Sequence, residues 1–282
     1  MSPARTLVQT LIAATTMTAA VVALGPTAHA ISIPVACSEN ALVTAVNLAN
    51  STAAADTLVL ASGCTYRITS PHGGPRNGLP VITTPIEMLG PAIITRSSPA
   101  LFRLIEVASA GSLTLTTGVA LTNGSAVGDG GAILNRGAVT LTTSSLSGNF
   151  ATRHGGGLAN VDTPSGTAPA ATFTNSPVSG NTSLLRGGGI YNGLRGTLTT
   201  TGVSGSPMFV QGNTGSQGAG IAAIDSTATT LTQTAVTSNH ALLTAGGVYR
   251  VGGTMTTTNS PISANTPNNC VGSAPAVPNC TG

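Results

Sequence analysis

The stretch GGAILNRGAVTLTTSSLSGN, residues 130–149, contains the pattern on which the fold prediction rests. It opens with a glycine pair followed by a small and an aliphatic residue, continues through an alternating threonine-rich segment, and ends with an aliphatic residue three positions before an asparagine. Side chains of one class at every second position are typical of a β-strand. Glycine and asparagine on either side of such short segments indicate tight corners.

Both ends of this pattern recur along the chain. The asparagine that follows an aliphatic residue returns after 26, 32, 32, 26 and 26 residues, and the extra length falls at about residues 161–170 and 203–210. A repeat of about 26 residues with short strands and no helix is typical of a parallel β-solenoid, in which inward aliphatic side chains stack into one core. We therefore expect about six or seven coils between residues 81 and 266.

The repeated asparagines predict a hydrogen-bonded column at one corner of the solenoid. An asparagine amide both donates and accepts, so it can link the coil above to the coil below, and asparagine tolerates the left-handed conformation that a sharp corner requires. A shorter column of Asn135, Asn160 and Asn192 follows the glycine pairs. The main column is predicted to contain Asn123 (in a degenerate copy of the pattern), Asn149, Asn181, Asn213, Asn239 and Asn265.

The composition excludes several classes of protein. Only 6% of the 282 residues are charged and 2% are aromatic, and the formal net charge is +3. Coiled coils and long solvated helices need many more charged side chains than this. A charge of +3 spread over the whole chain also makes nucleic acid an unfavoured partner.

The N-terminal segment, residues 1–30, reads as a secretory signal peptide. Arg5 precedes an apolar stretch over residues 11–24, and Ala28-His29-Ala30 matches a small-x-small cleavage site. A lipoprotein anchored at Cys37 is the alternative, which is disfavoured because no leucine stands three residues before that cysteine. We expect a secreted, extracellular monomer with no transmembrane segment in the mature chain.

Both ends of the solenoid are predicted to be capped. Residues 31–80 form the N-terminal cap, with a helix over 39–50 after the N-cap Ser38 and edge strands over 56–60 and 65–69, and residues 267–282 form the C-terminal cap. An even number of cysteines in an exported chain favours disulfides over metal ligands. Their grouping favours Cys37–Cys64 and Cys270–Cys280, although spacing leaves the other two connectivities open. We expect no metal and no cofactor.

The repeat also carries a resemblance to a known family. Gly130-Gly131-Ala132-Ile133, followed by the aliphatic-x-x-Asn pattern, resembles the GGAI and FxxN repeats of the polymorphic outer membrane protein family, within the pectate-lyase-like superfamily of right-handed β-helices. Segments 41–50 and 56–69 and the Cys-Thr-Gly end also resemble secreted bacterial members. The likeness spans nearly all of 37–282, but the family's phenylalanine is aliphatic here. Because the sequence stops at Gly282, we expect no autotransporter-like barrel, and simple secretion is favoured.

This resemblance implies an all-β, right-handed parallel β-helix with adhesive or surface roles and no agreed catalytic residues. We therefore expect a non-catalytic, adhesin-like extracellular protein whose partner is an unidentified polysaccharide or cell-surface component. A polysaccharide lyase or glycoside hydrolase is the first alternative. Its candidate catalytic residues are those before three successive glycine pairs, Asp129, His154 and Arg186, which stacking would bring together. A variable polar turn position explains the same column without catalysis.

Threonine ranks suggest a second alternative, an ice-binding protein. Around one inward position, both outward neighbours are threonine in six coils, which would give a flat lattice of methyl and hydroxyl groups similar to the Thr-x-Thr ranks of ice-binding β-solenoids. Threonine is also favoured on any exposed strand face, which is the simpler explanation. The array consists of Thr114, Thr116, Thr140, Thr142, Thr172, Thr174, Thr199, Thr201, Thr230, Thr232, Thr256 and Thr258.

Overall fold

The computed structural model describes residues 29–163 and 166–282. The predicted signal segment, residues 1–30, lies outside these ranges apart from its last two positions. The described chain winds into a parallel β-solenoid of about nine coils. A full coil passes in turn through four sheets, numbered 1 to 4 here, and each sheet runs along the solenoid axis.

Every strand pairs in parallel with the equivalent strand of the next coil. Within the described residues, sheet 1 has nine strands: β1 (Ser32–Val35), β2 (Asp56–Leu60), β4 (Pro85–Leu89), β7 (Ser112–Thr116), β11 (Ala138–Thr142), β15 (Ala170–Thr174), β19 (Thr197–Thr201), β23 (Ala228–Thr232) and β27 (Thr254–Thr258). Sheet 2 consists of β3 (Cys64–Ile68), β5 (Ala92–Arg96), β8 (Val119–Thr122), β12 (Ser145–Ser147), β16 (Val178–Ser179), β20 (Met208–Gln211), β24 (Thr234–Thr237) and β28 (Ile262–Ser263).

The other two sheets are built of shorter strands. Sheet 3 consists of β9 (Ser125–Ala126), β13 (Phe150–Ala151), β17 (Thr182–Ser183), β21 (Thr214–Gln217) and β25 (His240–Thr244). Sheet 4 consists of β6 (Ile105–Val107), β10 (Ile133–Asn135), β14 (Leu158–Asn160), β18 (Ile190–Asn192), β22 (Ile221–Ile224) and β26 (Val248–Val251).

The core is a set of aliphatic columns that run along the axis. In sheet 4, the column Ile133, Leu158 and Ile190 is in register and fully buried. Leu141 and Phe173 form the equivalent column in sheet 1. Each buried side chain of this size contributes roughly 1.5–3 kcal/mol. The columns hold the coils in register because a slip of one residue would turn the inward side chains outward.

The number of coils corrects the sequence-based expectation of six or seven. The N-terminal coils contain β1 to β5 but lack the glycine pair and the column asparagine, so the repeat count omitted them. One further difference concerns the N-terminal cap. Segment 56–60, expected to be an edge strand, is covered by β1, which pairs with it from Ser32↔Thr57 to Val35↔Leu60.

The N-terminal helix α1 spans Glu39–Ala49 and covers the first coil. The Ser38 hydroxyl accepts a hydrogen bond from the Ala41 N–H, which caps the helix, and Leu42 and Val46 are buried on one face. The Glu39 carboxylate accepts from the Thr69 amide and hydroxyl at 2.9 and 2.6 Å. Burial alone would raise the pKa of Glu39, but these hydrogen bonds and the contact with His72 lower it below its ordinary value.

The asparagine column forms a continuous hydrogen-bonded ladder. In each step the Oδ1 atom of one asparagine accepts from both the backbone N–H and the Nδ2 group of the preceding asparagine of the ladder, which lies one coil earlier in every step except the last. The Asn149–Asn181 step has distances of 3.0 and 2.9 Å. The steps that follow are Asn181–Asn213, Asn213–Asn239, Asn239–Asn265 and Asn265–Asn269.

Two details of the predicted ladder are wrong. Asn123 lies one position before the column: the register places Gly124 opposite Asn149, and the Gly124 N–H donates to the Asn149 Oδ1 atom. The left-handed conformation also belongs to the residue before the ladder asparagine, as at Gly180 with φ 62°. The preceding residue makes the turn in the left-handed conformation. The asparagine side chain can therefore point inward and reach the asparagines of the neighbouring coils.

The C-terminal segment completes the solenoid. The described chain contains two disulfides, Cys37–Cys64 and Cys270–Cys280, the pairing that the grouping of the cysteines favoured. Residues 267–282 lie over the last coil. The Asn269 carbonyl accepts from Val248, and the Pro278 carbonyl accepts from the Thr257 hydroxyl, so the backbone at the end of the solenoid is hydrogen-bonded.

Candidate functional site

The polar column before the glycine pairs lies along the corner between sheets 3 and 4. His154 bridges to Arg186 and Arg186 to Gln217 in parallel register. The backbone of Gly130 donates to the His154 carbonyl, which places Asp129 one coil before the histidine. Stacking therefore brings the three predicted catalytic candidates, Asp129, His154 and Arg186, into adjacent coils.

The Asp129 carboxylate is engaged by the backbone and by an arginine rather than by the imidazole. Its Oδ1 atom accepts from the His154 backbone N–H at 3.2 Å, and its Oδ2 atom lies 3.6 Å from Nη1 of Arg153. The Asp129 side chain is 15% exposed. This arrangement holds the turn together but does not orient a carboxylate against the histidine ring, as a general base–orienter pair requires.

The His154 ring stacks on an aromatic ring of the next coil. Its centroid lies 4.4 Å from that of Tyr191, and the two planes differ by 17°. The Nδ1 atom is buried and makes no hydrogen bond within the described residues. Burial lowers the pKa of His154; Asp129 opposes the shift, and Arg153 and Arg186 add to it. The neutral imidazole is therefore favoured at neutral pH, and it packs as an aromatic surface.

Arg186 continues this cluster into the later coils. Its Nε atom donates to the Gln217 Oε1 atom at 3.0 Å, and its guanidinium lies 5.8 Å from the ring centroid of Tyr249. A guanidinium at this distance from an aromatic face is attracted by the ring quadrupole. The four side chains His154, Tyr191, Arg186 and Tyr249, called the aromatic–cation cluster below, thus place three rings and one guanidinium along one face.

Two clefts of about 320 Å³ each lie beside the cluster. One is lined by His154, Leu185, Arg186, Ser216 and Gln217. The other is lined by Val161, Asp162, Tyr191, Gly193 and Leu194. A bidentate ion pair with Arg195, at 2.6 and 2.7 Å, fixes the Asp162 side chain in the second cleft. Clefts of this size suit a ligand of a few rings.

The cluster contains residues that the sequence pattern did not identify. Arg153 has no counterpart in the neighbouring coils, where the equivalent residues are Gly128 and Leu185. Tyr191 was recognisable as an outward residue of strand β18. Its contact with His154 was not recognisable, since the ring reaches across to the preceding coil, where its register partner is the small Ala159.

A second polar group extends from Asp129 towards the N-terminus. The guanidinium of the buried Arg103 donates to the Asp129 backbone carbonyl at 3.3 Å and to the Asn77 side chain. Glu106 lies between Arg103 and Arg136, at 3.2 and 3.3 Å. These ion pairs are satisfied among themselves, so they position the corner rather than offering groups to a ligand.

The threonine array lies on the outer face of sheet 1 in unbroken register. From β7 to β27, each threonine of the array stands opposite a threonine of the next coil, and no bulge interrupts the pairing. Most of these side chains are half-buried, and Thr256 and Thr258 are exposed. The array ends towards the N-terminus at Glu87, whose carboxylate accepts from the Thr116 hydroxyl at 3.0 Å.

Residues 29–163 and 166–282 contain neither a metal-binding cluster nor a membrane-spanning helix. No three histidine, cysteine, aspartate or glutamate side chains lie together as a metal site would require. None of the helices in this part of the chain has the length and apolar character needed to cross a bilayer. Comparison of the chain with protein-family models and with curated proteins found no match.

Proposed function

We propose that this protein is an extracellular, non-catalytic binding protein of the adhesin-like kind, and that its aromatic–cation cluster binds an acidic polysaccharide. Under this proposal, the protein is a secreted right-handed β-helix similar to those of the polymorphic outer membrane protein family. The observation that carries it is the stack of His154 on Tyr191 with Arg186 beside it, open to two clefts. Stacked rings offer an apolar surface to the C–H face of a sugar, and arginine binds carboxylates through two parallel hydrogen bonds.

The contacts of the carboxylates support binding rather than turnover. Glycoside hydrolysis needs two carboxyl groups that face the substrate, one of them free to hold a proton. Here six of the acidic side chains are held by hydrogen bonds or ion pairs within the described protein. They are Glu39, Asp56, Glu87, Glu106, Asp129 and Asp162.

Binding is tested with polygalacturonate and alginate as acidic polymers and dextran as the neutral control, by isothermal titration calorimetry. We expect Arg186→Gln to weaken binding of the acidic polymers by at least about tenfold, because a charged hydrogen-bonded contact is lost. Tyr191→Ala should weaken binding similarly, whereas Tyr191→Phe should keep it. The matched control is Arg67→Gln, an exposed arginine on sheet 2, which should bind as the native protein does.

The same site predicts a pH dependence. Burial lowers the pKa of His154 in the free protein, and a bound carboxylate favours the protonated ring and raises that pKa. Affinity should therefore increase as the pH falls from the pKa of the complex towards the lower pKa of the free protein, and be constant above both. His154→Gln should remove the dependence.

Equal binding by Arg186→Gln and the native protein would contradict the proposal, and release of reducing ends or unsaturated products would favour the lyase or hydrolase alternative.

The unbroken register of the threonine array supports a second candidate, ice binding. Its two ranks repeat every ~4.8 Å along the axis and ~7 Å along each strand, which presents a regular lattice to water. The native protein should then show thermal hysteresis, and Thr142→Leu with Thr174→Leu should reduce it. Thr122→Leu, a half-buried threonine on sheet 2, is the control. Absence of hysteresis in the native protein would remove this candidate.

A further inference from the structure

Two pairs of leucines protrude from the corner between sheets 3 and 4. Leu184 and Leu185 follow β17, and Leu242 and Leu243 lie within β25. Leu242 and Leu243 are 68% and 67% exposed, and Leu184 is 54% exposed. These four side chains are called the leucine ridge. Leu242, Leu243 and Leu184 are among the most exposed large apolar side chains of the described residues.

The backbone explains why both leucines of each pair point outward. In a regular strand consecutive side chains alternate between the two faces, so two adjacent exposed residues mark a bend of the chain. The intervening coil has Ser216 at this corner and one residue fewer, which produces a register shift between Gly215 and Gln217. The two leucine pairs are therefore separated by one coil with a small polar residue, and lie about 10 Å apart along the axis.

The ridge is bordered by positive charge. The backbone N–H of Leu185 donates to the Arg153 carbonyl, so Arg153 occupies the same corner one coil earlier, and its side chain is 61% exposed. Arg186 directly follows Leu185. The carboxylate nearest to these groups, Asp129, is mostly buried and already paired with Arg153. The face thus combines protruding leucines with the exposed Arg153 and the half-buried Arg186.

We propose that the leucine ridge docks the protein onto an anionic lipid surface. Leucine side chains on a bend can enter the boundary between headgroups and acyl chains, while arginines at the same level bind lipid phosphates. A second copy of the chain fits this face less well. A two-fold symmetric contact across the ridge would place Arg153 and Arg186 of one copy against the same residues of the other. The ridge adjoins the proposed glycan contact, because Leu185 and Arg186 line one of the two clefts, but Leu242 and Leu243 line neither cleft.

Co-sedimentation with vesicles tests the proposal. The native protein should bind vesicles of equal parts phosphatidylcholine and phosphatidylglycerol at low salt, and bind vesicles of phosphatidylcholine alone more weakly. Leu242→Ser with Leu243→Ser should weaken binding to the anionic vesicles by about tenfold or more. Arg153→Gln should weaken it by about fivefold. Polygalacturonate binding by the leucine variant should be that of the native protein, which separates the two proposals.

The absence of tryptophan from the chain provides a direct readout of insertion. Leu243→Trp places a single fluorophore on the ridge. Val203→Trp places one at the corner between sheets 1 and 2, the opposite corner in the order of the four sheets, where the native side chain is 48% exposed. Anionic vesicles should shift the emission of the first variant to shorter wavelength and leave that of the second unchanged.

Several outcomes would overturn the proposal. They are failure of the native protein to bind anionic vesicles, equal binding to neutral vesicles, equal binding by the leucine variant, and equal shifts of the two tryptophans. The last such outcome is measured by analytical ultracentrifugation without lipid. A native dimer that becomes monomeric in the leucine variant would assign the ridge to a second copy of the chain.

Discussion

At the scale of single residues, the ladder asparagines join the coils through both functions of the amide. The Asn181 Oδ1 atom accepts two hydrogen bonds from Asn149, and its Nδ2 group donates to the Asn213 Oδ1 atom and to the Leu146 carbonyl, both at 3.0 Å. The side chain is fully buried. A buried amide with this many partners cannot be removed without leaving several polar groups unpaired.

This arrangement predicts that Asn181→Ala destabilises the protein by about 1–3 kcal/mol, the usual cost of buried donors and acceptors without partners. Urea denaturation followed by circular dichroism measures the change in the free energy of unfolding. Ser179→Ala, two residues earlier and half-buried on the outer face, should change it by less than about 0.5 kcal/mol. Equal stability of Asn181→Ala and the native protein would contradict the role of the ladder.

Single residues also explain why the repeat predicted only part of the candidate site. The spacing of the glycine pairs placed Asp129, His154 and Arg186 in adjacent coils, because register follows from the repeat. The stack of His154 on Tyr191 depends instead on the side-chain reach of a residue 37 positions away. No periodicity describes such a contact, since the two residues occupy different positions of the repeat.

At the scale of elements, the length of a strand decided how well the sequence predicted it. The five-residue strands of sheet 1, such as β11 and β15, alternate over enough positions to be recognised. The strands β9, β13 and β17 of sheet 3 have two residues each, too few for any alternation. Their positions follow only from the ladder that precedes them and the glycine pair that follows.

The first coils were missed for a related reason. Strands β2 to β5 pair in the same way as later strands, but they are connected without the column asparagine and the glycine pair. Helix α1 and the buried Tyr66, whose hydroxyl contacts Val35 and Ala61 at 2.9 Å, fill the end of the core instead. A repeat search counts only the coils whose corners need the same residues.

At the scale of the whole molecule, each coil contacts mainly the coil before it and the coil after it. Stability in such a molecule is close to a sum of neighbour interactions, so a change at one end has little effect at the other. The terminal coils have only one neighbour each. Helix α1 with Cys37–Cys64 holds one end, and residues 267–282 with Cys270–Cys280 hold the other.

The last prediction follows from this one-dimensional coupling. Replacing Cys270 and Cys280 together by alanine removes a disulfide that links residues ten positions apart in sequence. The loss should lower the free energy of unfolding of the C-terminal end by about 2–3 kcal/mol. Amide hydrogen exchange read by mass spectrometry should become faster in β25 to β28 and stay unchanged in β11 to β19, because the central coils keep both neighbours. The matched variant, with Cys37 and Cys64 replaced by alanine, should accelerate exchange in β1 to β3 alone. If either variant accelerated exchange equally in all coils, the solenoid would unfold as a single unit, and the independence of its two ends would be disproved.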